Sequence, residues 1–524
     1  MPWRGGRRGW EAGDWIPALL ASALLFSLWA SSAGALLLEG VRALGEAATD
    51  PVVLRSLRFS LLQALASAGA AVLLALPLAY LNSTYEYPGR GLVETLVTLP
   101  FTLPTVSVAL AFLLLVRAGL VPQGWPAIIL AHAYFNFGVC AQMISASLGA
   151  VGVRLEEAAE TLGAGPLTRF FRITLPLALR GVAAGFSLTF ALSFTSFAIP
   201  LLLGGPRYRT LEVEIYSLYK VFLDAERASA AALIQLAATM AVAWLSLRWS
   251  SLGAAGEVRR RRPLRGSWAP LGALYGYASA ALAVYPVAYL VVRSLFDPLT
   301  DRFDPSVYAE ILSTAYDASL GAEPVRGLLN SAFFAAVTAI VTLSLAALVA
   351  SAPPRARSLA LGVSSLPLGT SSITAALGLY ALGLRLGAPG WALIAASHVL
   401  IAAPFAMRAV ESGVSGLSES LLDAAETLGL SRLDATFRVL LPAAAPAVLS
   451  GAFYALALSL SETAASTLLA SPATQTLTVV ALRYAGVRRF QEAAAVSSLV
   501  ALLTWGALWA KQIVEGRMGW LRSS

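Results

Sequence analysis

The recurrence of long apolar runs limits what this chain can fold into more than any other feature. Twelve stretches of about twenty or more mostly apolar residues alternate with short polar segments along 524 residues. They lie near 15–38, 59–81, 97–117, 126–146, 178–203 and 228–249, then near 269–293, 328–351, 359–384, 390–411, 443–469 and 493–512. A helix needs about 20 apolar residues to cross a bilayer. In lipid each backbone N–H and C=O must be satisfied within the segment, which a helix achieves. The expected fold is an all-α polytopic membrane protein of about 12 transmembrane helices. Pro100 and Pro104 predict a kink or unwound turn in the third span.

Composition agrees. The chain is 58% hydrophobic and 13% charged, where soluble domains are about 25% charged. A net charge of +8 would suggest nucleic acid in a soluble protein. Here the arginines sit between apolar runs, where they orient the helices instead. The single cysteine, Cys140, lies inside an apolar run, so no intrachain disulfide can form. Arg4, Arg7 and Arg8 precede a run too long for a signal peptide's core, and further spans follow it.

With Arg4, Arg7 and Arg8 on the cytoplasmic side, alternate loops should carry the arginines. They hold Arg90, then Arg154, Arg169 and Arg172, then Arg259 to Arg262 and Arg265, then Arg355 and Arg357, then Arg432 and Arg438, then Arg517 and Arg522. Both termini are thereby expected in the cytoplasm of a multi-pass cytoplasmic-membrane protein. The expected outer loop 296–327 is acidic, with Asp297, Asp301, Asp304, Glu310, Asp317 and Glu323. Loops 204–227 and 470–492 break the rule with Arg207, Arg209, Lys220, Arg483, Arg488 and Arg489.

An internal repeat organises the spans. Glu157 and Asp423 are 266 residues apart, and the same offset relates Gly163 to Gly429, Pro176 to Pro442, Ser193 to Ser459 and Glu226 to Glu492. The only two histidines, His132 and His398, obey it as well. The chain therefore reads as two six-span units in one orientation. They are 1–255 and 268–524, joined by the basic cytoplasmic linker GEVRRRRPLRGS at 256–267.

Two polar islands interrupt the apolar pattern at equivalent places: EEAAETLGAGPLTRFFRITLP, ending at Pro176, and DAAETLGLSRLDATFRVLLP, Asp423 to Pro442. Each reads as helix, turn, helix. Gly163 and Gly429 suit a left-handed helix C-cap, and Pro166 suits the first position of the next helix. Ser431 with Asp434 resembles a capping box. Leu175-Pro176 and Leu441-Pro442 are expected to end each element ahead of the next span.

This spacing of an acidic residue, two alanines, a glycine and a closing Leu-Pro resembles the EAA loop of binding-protein-dependent ABC importer permeases. The tract YPGRGLVETLVTLPFTLPTVSVALAFLLL (87–115) is also similar to that family, and the resemblance covers nearly the whole chain. The tract FTSFAIPLLLGGPRYRTLEVEIY (194–216) and the fused double layout most resemble the thiamine and iron(III) importer permeases. The resemblance implies a type I importer permease fold, with EAA loops at 157–176 and 423–442. It implies that the first short helix of each island seats on a separate ATPase, one copy per island. Glu157, Ala158, Ala159 and Gly163 would form one dock, and Asp423, Ala424, Ala425 and Gly429 the other. It further implies a solute-binding protein outside and no cofactor on this chain, ATP and Mg²⁺ being used by the ATPase. Paired alanines permit close approach, an acid can meet basic groups, and glycine forms the elbow. Aspartate at 423 keeps the charge with a shorter reach.

Enzymatic signatures are missing from the sequence. Lys220 and Lys511 follow Tyr219 and Ala510, so neither belongs to a P-loop. Two histidines and one cysteine make no local metal motif, and no Gly-x-Ser-x-Gly elbow is present. Glu462 stands inside the eleventh span, where a charge is expensive and points to a cavity or gate; the other reading is a buried acid paired with a neighbouring helix, or protonated. Its counterpart is Ser196, and Ser193, Thr195, Ser459 and Ser461 add hydroxyls along the same helices, as a candidate substrate path. An acid there favours a cationic solute such as thiamine or a chelated metal, and the expected solute is thiamine-type or iron(III)-type. His132 and His398 are expected to make helix-packing hydrogen bonds. The segments 204–227 and 470–492 share a Thr-Leu-x-Val core and are candidate scoops for the binding protein, or plain loops. The alternative function, a secondary transporter or channel without an ATPase, would need several intramembrane charges or a filter. A membrane-embedded enzyme would need a nucleophile, dyad or metal cluster.

Overall fold

The computed structural model describes residues 15–151, 153–250, 261–266, 268–298, 300–417 and 420–521. Arg4, Arg7, Arg8, Arg259, Arg260 and Arg522, most of the 256–267 seam and the side chains of Arg154, Asp423 and Arg517 lie outside the described residues.

Among the described residues the regular structure is helical, apart from one two-residue parallel strand pair, Tyr85–Glu86 with Arg262–Pro263, and two isolated bridges. Among the described residues, eight helices are unbroken, long and apolar enough to cross a membrane, and three bent pairs raise the count to 11. The expected span 97–117 is one such pair, Arg90–Thr102 and Thr105–Arg117, bent by 98°. Pro104 explains the break, since it has no N–H to continue the ladder. The expected span 359–384 is likewise bent by 97° between Pro354–Gly369 and Ser372–Leu386. There Ser371 restarts the helix by accepting from the Thr374 N–H at 3.2 Å. The expected span 228–249 is the helix Ala225–Ser250, several of whose side chains lie outside the described residues.

The chain folds into two compact units that cut across the sequence repeats. One unit combines residues 1–38, 326–476 and 502–524; the other combines 39–325 and 477–501. Each unit is therefore built from both halves of the sequence.

In the 39–325 unit, Pro51–Thr84, Trp125–Gly149 and Leu175–Phe194 pack against one another. Small residues let the backbones approach: a Cβ at Gly138 would lie 2.1 Å from the Val97 carbonyl oxygen. The helix Ala269–Ser294 packs on both arms of the bent pair at 90–117, where Tyr134 donates to the Ala283 carbonyl at 2.7 Å. Segment 477–501 belongs here too: Ser107 donates to the Ser497 carbonyl at 3.0 Å, and Arg117 stacks over Phe490.

In the other unit, Gly390–Val414 packs against Ala445–Ser461, and Ser372–Leu386 lies beside Gly390–Val414. The first helix, Ile16–Gly40, joins this unit through residue 38. Trp29 donates to Thr370 at 2.8 Å, and a Cβ at Gly378 would lie 2.5 Å from the Ser32 carbonyl.

Candidate functional site

Each polar island is an elbow whose backbone follows directly from its glycine. Helix Val153–Thr161 ends at Gly163, φ +82°, and helix Ser420–Thr427 ends at Gly429, φ +90°. In the first, Gly163 N–H bonds the Glu160 carbonyl and Ala164 N–H the Ala159 carbonyl, both at 2.9 Å. In the second, Gly429 bonds Glu426 at 2.9 Å and Leu430 bonds Ala425 at 3.2 Å. This is the Schellman closure, which needs a left-handed residue at its apex. Ser431 caps the second short helix, accepting from the Asp434 N–H at 3.1 Å while its hydroxyl donates to Asp434 Oδ2 at 2.6 Å. The Asp434 carboxylate thus takes the serine hydroxyl where a full capping box would take the serine N–H.

The Leu-Pro pairs do not end these elements. Phe170–Thr174 and Thr436–Leu440 are π-helical turns, closed by Leu175 N–H to the Phe170 carbonyl and Leu441 N–H to the Thr436 carbonyl. The wider turn absorbs the missing N–H of Pro176 and Pro442, so the chain stays helical into the following span. After that the copies differ. Leu167–Phe194 runs unbroken for 28 residues, while the second copy bends by 85° between Arg432–Ala443 and Ala445–Ser461.

The expected docking residues divide between surface and core. Glu157 and Ala158 are exposed, but Ala159 is buried against its own chain; Ala424 is exposed and Ala425 joins a buried cluster with Leu422, Ala435 and Leu440. Glu157 is not free: Arg262 donates to it at 2.7 Å. That arginine is held in place by the strand pair and by its neighbour Arg261, which donates to the Asn82 carbonyl at 3.0 Å. Exposed pairs of this kind contribute about 0–1 kcal/mol, so a partner can displace one. Buried Glu156 accepts from Thr174 at 2.6 Å and ties the helix to its π-turn.

Sequence reasoning overlooked the apolar side chains that the islands present. Leu162 is 88% exposed and Leu428 is 85% exposed, at the two elbows. Leu155, Leu167 and Phe171 are exposed in the first island, as are Leu421, Leu433 and Phe437 in the second. Every one of these pairs obeys the 266-residue offset, which was the signal available for finding them. Large exposed apolar side chains are thus matched, residue for residue, on the two polar elbows.

The candidate path residues form two separate polar cores. In the 326–476 unit, His398 Nδ1 lies 2.7 Å from Ser459 Oγ and its Nε2 lies 2.9 Å from Ser466 Oγ. The Glu462 carboxylate accepts the N–H groups of Ala465 and Ser466, each at 2.9 Å, capping the helix Ala464–Leu469; His398 Nε2 is 3.6 Å away. Glu462 is therefore charge-compensated by a helix N-terminus. Ser461 donates back to the Leu458 carbonyl and does not join this group.

In the 39–325 unit, His132 Nδ1 lies 2.9 Å from Gln63 Oε1, and Gln63 Nε2 donates to the Ser193 carbonyl at 2.8 Å. Thr195 bonds back to the Ala191 carbonyl. His132 Nε2, Ser193 Oγ, Ser196 Oγ, Asn136 Oδ1 and Ser67 Oγ are buried with no hydrogen-bond partner among the described residues. The matching histidines are thus unequal: one has both ring nitrogens engaged and the other has one.

Three of the arginines that broke the charge rule, Arg209, Arg483 and Arg489, have acidic or carbonyl partners of their own. Arg489 bonds Asp317 at 2.6 Å and Glu492 at 2.7 Å, and Arg483 donates to the Leu320 carbonyl at 2.6 Å. Arg209 faces Glu214 at 3.5 Å. Partial burial pushes the Asp317 carboxyl up, but hydrogen bonds from Ser319 and Tyr484 and the charge of Arg489 outweigh it and hold its pKa down at about 2. Loop 296–327 is thus in part an anchor for 477–501, beyond a merely solvated acidic loop.

The family described as binding-protein-dependent transport system inner membrane component matches this chain twice, at 67–252 and 326–519. The thiamine transport system permease protein ThiP of Brucella suis biovar 1 is 34% identical over 242 residues, which are 43% of this chain and 45% of that protein. ThiP of Brucella abortus (strain 2308) is 30% identical over 341 residues, 60% of this chain and 63% of that protein. The putrescine transport system permease protein PotI of Escherichia coli K12 is 32% identical over 197 residues, 36% of this chain and 70% of that protein. The chain spans between about half and two thirds of the length of the ThiP relatives it matches. Twofold elbows, eight to eleven apolar spans and a doubled family match converge on one assignment: the chain belongs to the binding-protein-dependent transport system inner membrane component family.

Proposed function

We propose that this chain is the fused double permease of an ABC importer, moving a small organic cation inward by alternating access. The two matched elbows carry the reading, because each presents an exposed leucine beside an acid and a rigid left-handed turn. One ATPase subunit docks on each elbow, hydrolyses ATP with Mg²⁺, and draws the elbows together. The repeats 1–255 and 268–524 are the two permease halves, with both termini in the cytoplasm. A solute-binding protein delivers the solute outside. The relatives' names support a cationic solute: thiamine carries a fixed thiazolium charge and putrescine two ammonium groups, and a thiamine-type solute is the leading candidate.

Two measurements test this. The chain is co-purified with its ATPase, and Glu157→Lys and Asp423→Lys are compared with the unaltered protein; unchanged complex formation and unchanged ATP-driven uptake in both would sink the docking roles. Labelled thiamine is then offered to the full transporter in vesicles. Uptake that does not depend on ATP would favour a secondary transporter, and ATP-driven uptake of other solutes only would remove the thiamine assignment.

A further inference from the structure

Pro51, Leu54, Arg55, Arg58, Phe59 and Leu62 line an open cavity of about 460 Å³ on one flank of the helix Pro51–Thr84. Their spacing is that of one helical face, and the groove runs roughly 17 Å along the axis at about 1.5 Å per residue. Its two ends differ in chemistry. Arg55 and Arg58 sit one to two turns into this helix and just ahead of its apolar run at 59–81, where a polar headgroup meets the hydrocarbon. Beyond them the flank is apolar and open: Leu61, Leu62, Leu65 and Leu73 are all exposed on this membrane-spanning helix, and so face lipid.

The two guanidinium groups make no ion pair or hydrogen bond among the described residues. The acid nearest in sequence, Asp50, is engaged elsewhere: it caps the helix by accepting the Val52 N–H at 2.7 Å and pairs with Arg227. This contrasts with the outer arginines Arg209, Arg483 and Arg489, each of which has an acidic or carbonyl partner. Two uncompensated guanidiniums at a lipid-facing surface call for anions from outside the chain. Guanidinium forks match phosphate oxygens well, and Phe59 with Leu62 continues the groove as an acyl chain would require.

We propose that this groove binds one anionic phospholipid, with its phosphate on Arg55 and Arg58 and the start of an acyl chain along Phe59 and Leu62. A zwitterionic lipid brings no net charge to balance two guanidiniums, so the site selects for headgroup charge.

The test is native mass spectrometry of the full-length chain, delipidated and titrated with phosphatidylglycerol, phosphatidylcholine or inorganic phosphate. The expected result is phosphatidylglycerol binding at least tenfold tighter than phosphatidylcholine. R55Q/R58Q should bring it down to the phosphatidylcholine level, and R55K/R58K should retain most of it. Equal phosphatidylglycerol binding by the unaltered and R55Q/R58Q proteins would overturn the proposal. So would phosphatidylcholine binding as tightly as phosphatidylglycerol, or inorganic phosphate occupying the site as well as the lipid. So would an R55Q/R58Q protein that keeps its lipid but loses its solute-binding protein, which would make the arginines a protein dock. If the double variant fails to fold, R55Q and R58Q are read singly by the same criteria.

Discussion

The two elbows share a backbone but not a mounting. Both have the left-handed glycine, the π-turn and the same exposed leucines. The first continues into an unbroken helix of 28 residues, whereas the second meets an 85° bend at Ala444. The first is braced from the seam, through Arg262 on Glu157. The second is braced from the neighbouring helix end, where Arg432 donates to the Ser351 carbonyl at 3.1 Å and to Glu426 at 2.7 Å. The polar cores above them differ in the same sense, saturated around His398 and open around His132. Duplication has preserved the exposed leucines and the turns of the elbows, while the internal supports have diverged.

The comparison breaks most visibly at the leucines. Leu162→Asp and Leu428→Asp should each lower ATP-driven uptake tenfold or more, about 1.4 kcal/mol or above, which exceeds the cost at most interface residues, with thermal stability unchanged. Equal losses would mean that the mountings do not matter; a loss of stability in place of docking would refute the surface role. Next come the histidines. His398→Leu strands Ser459 and Ser466 in the core and should cost roughly 2–3 kcal/mol in unfolding measurements, while His132→Leu also removes an unpartnered nitrogen and should cost about 1 kcal/mol. A reversed order would show that the polar core around His132 is the more tightly held one. Gly163→Ala and Gly429→Ala should each cost about 1–2 kcal/mol, and nearly equally, because a Cβ at either position meets nothing within 4 Å.

The smallest effect belongs to one unit alone. Asp317 has its folded pKa lowered from 3.8 to about 2. The stability it contributes is therefore complete above about 4 and is lost as pH falls through about 2. Asp317→Asn should remove that acid dependence from the 477–501 segment and leave the elbows untouched, as read by hydrogen exchange.

Much of this architecture was legible because it is written locally. Spans follow from apolar length, and the elbows follow from glycine at a fixed distance after a run of helix formers. The bend at Pro104 needed only the missing N–H. What escaped depends on distant partners. Arg489 looked misplaced because its neutralising acid, Asp317, is 172 residues away. Glu462 looked like an unpaid charge because the backbone that solvates it folds back only in three dimensions. The Leu-Pro pairs looked like stops because a π-turn has no sequence signature comparable to a proline's. Leu162 and Leu428 were hidden by reading the islands as uniformly polar. The repeat offset also says which residues are equivalent, and nothing about which copy's first helix packs in which unit.

That last point bears on how the protein is made. The first helix, Ile16–Gly40, belongs with residues 326–476, which leave the ribosome nearly three hundred residues later. At roughly 5–20 residues per second, the helix up to residue 38 must wait for something like 15–60 s in the bilayer before the neighbours from 326–476 exist. During that interval Trp29 lacks its Thr370 partner, and the helix finds this packing only once residues 326–476 have followed it.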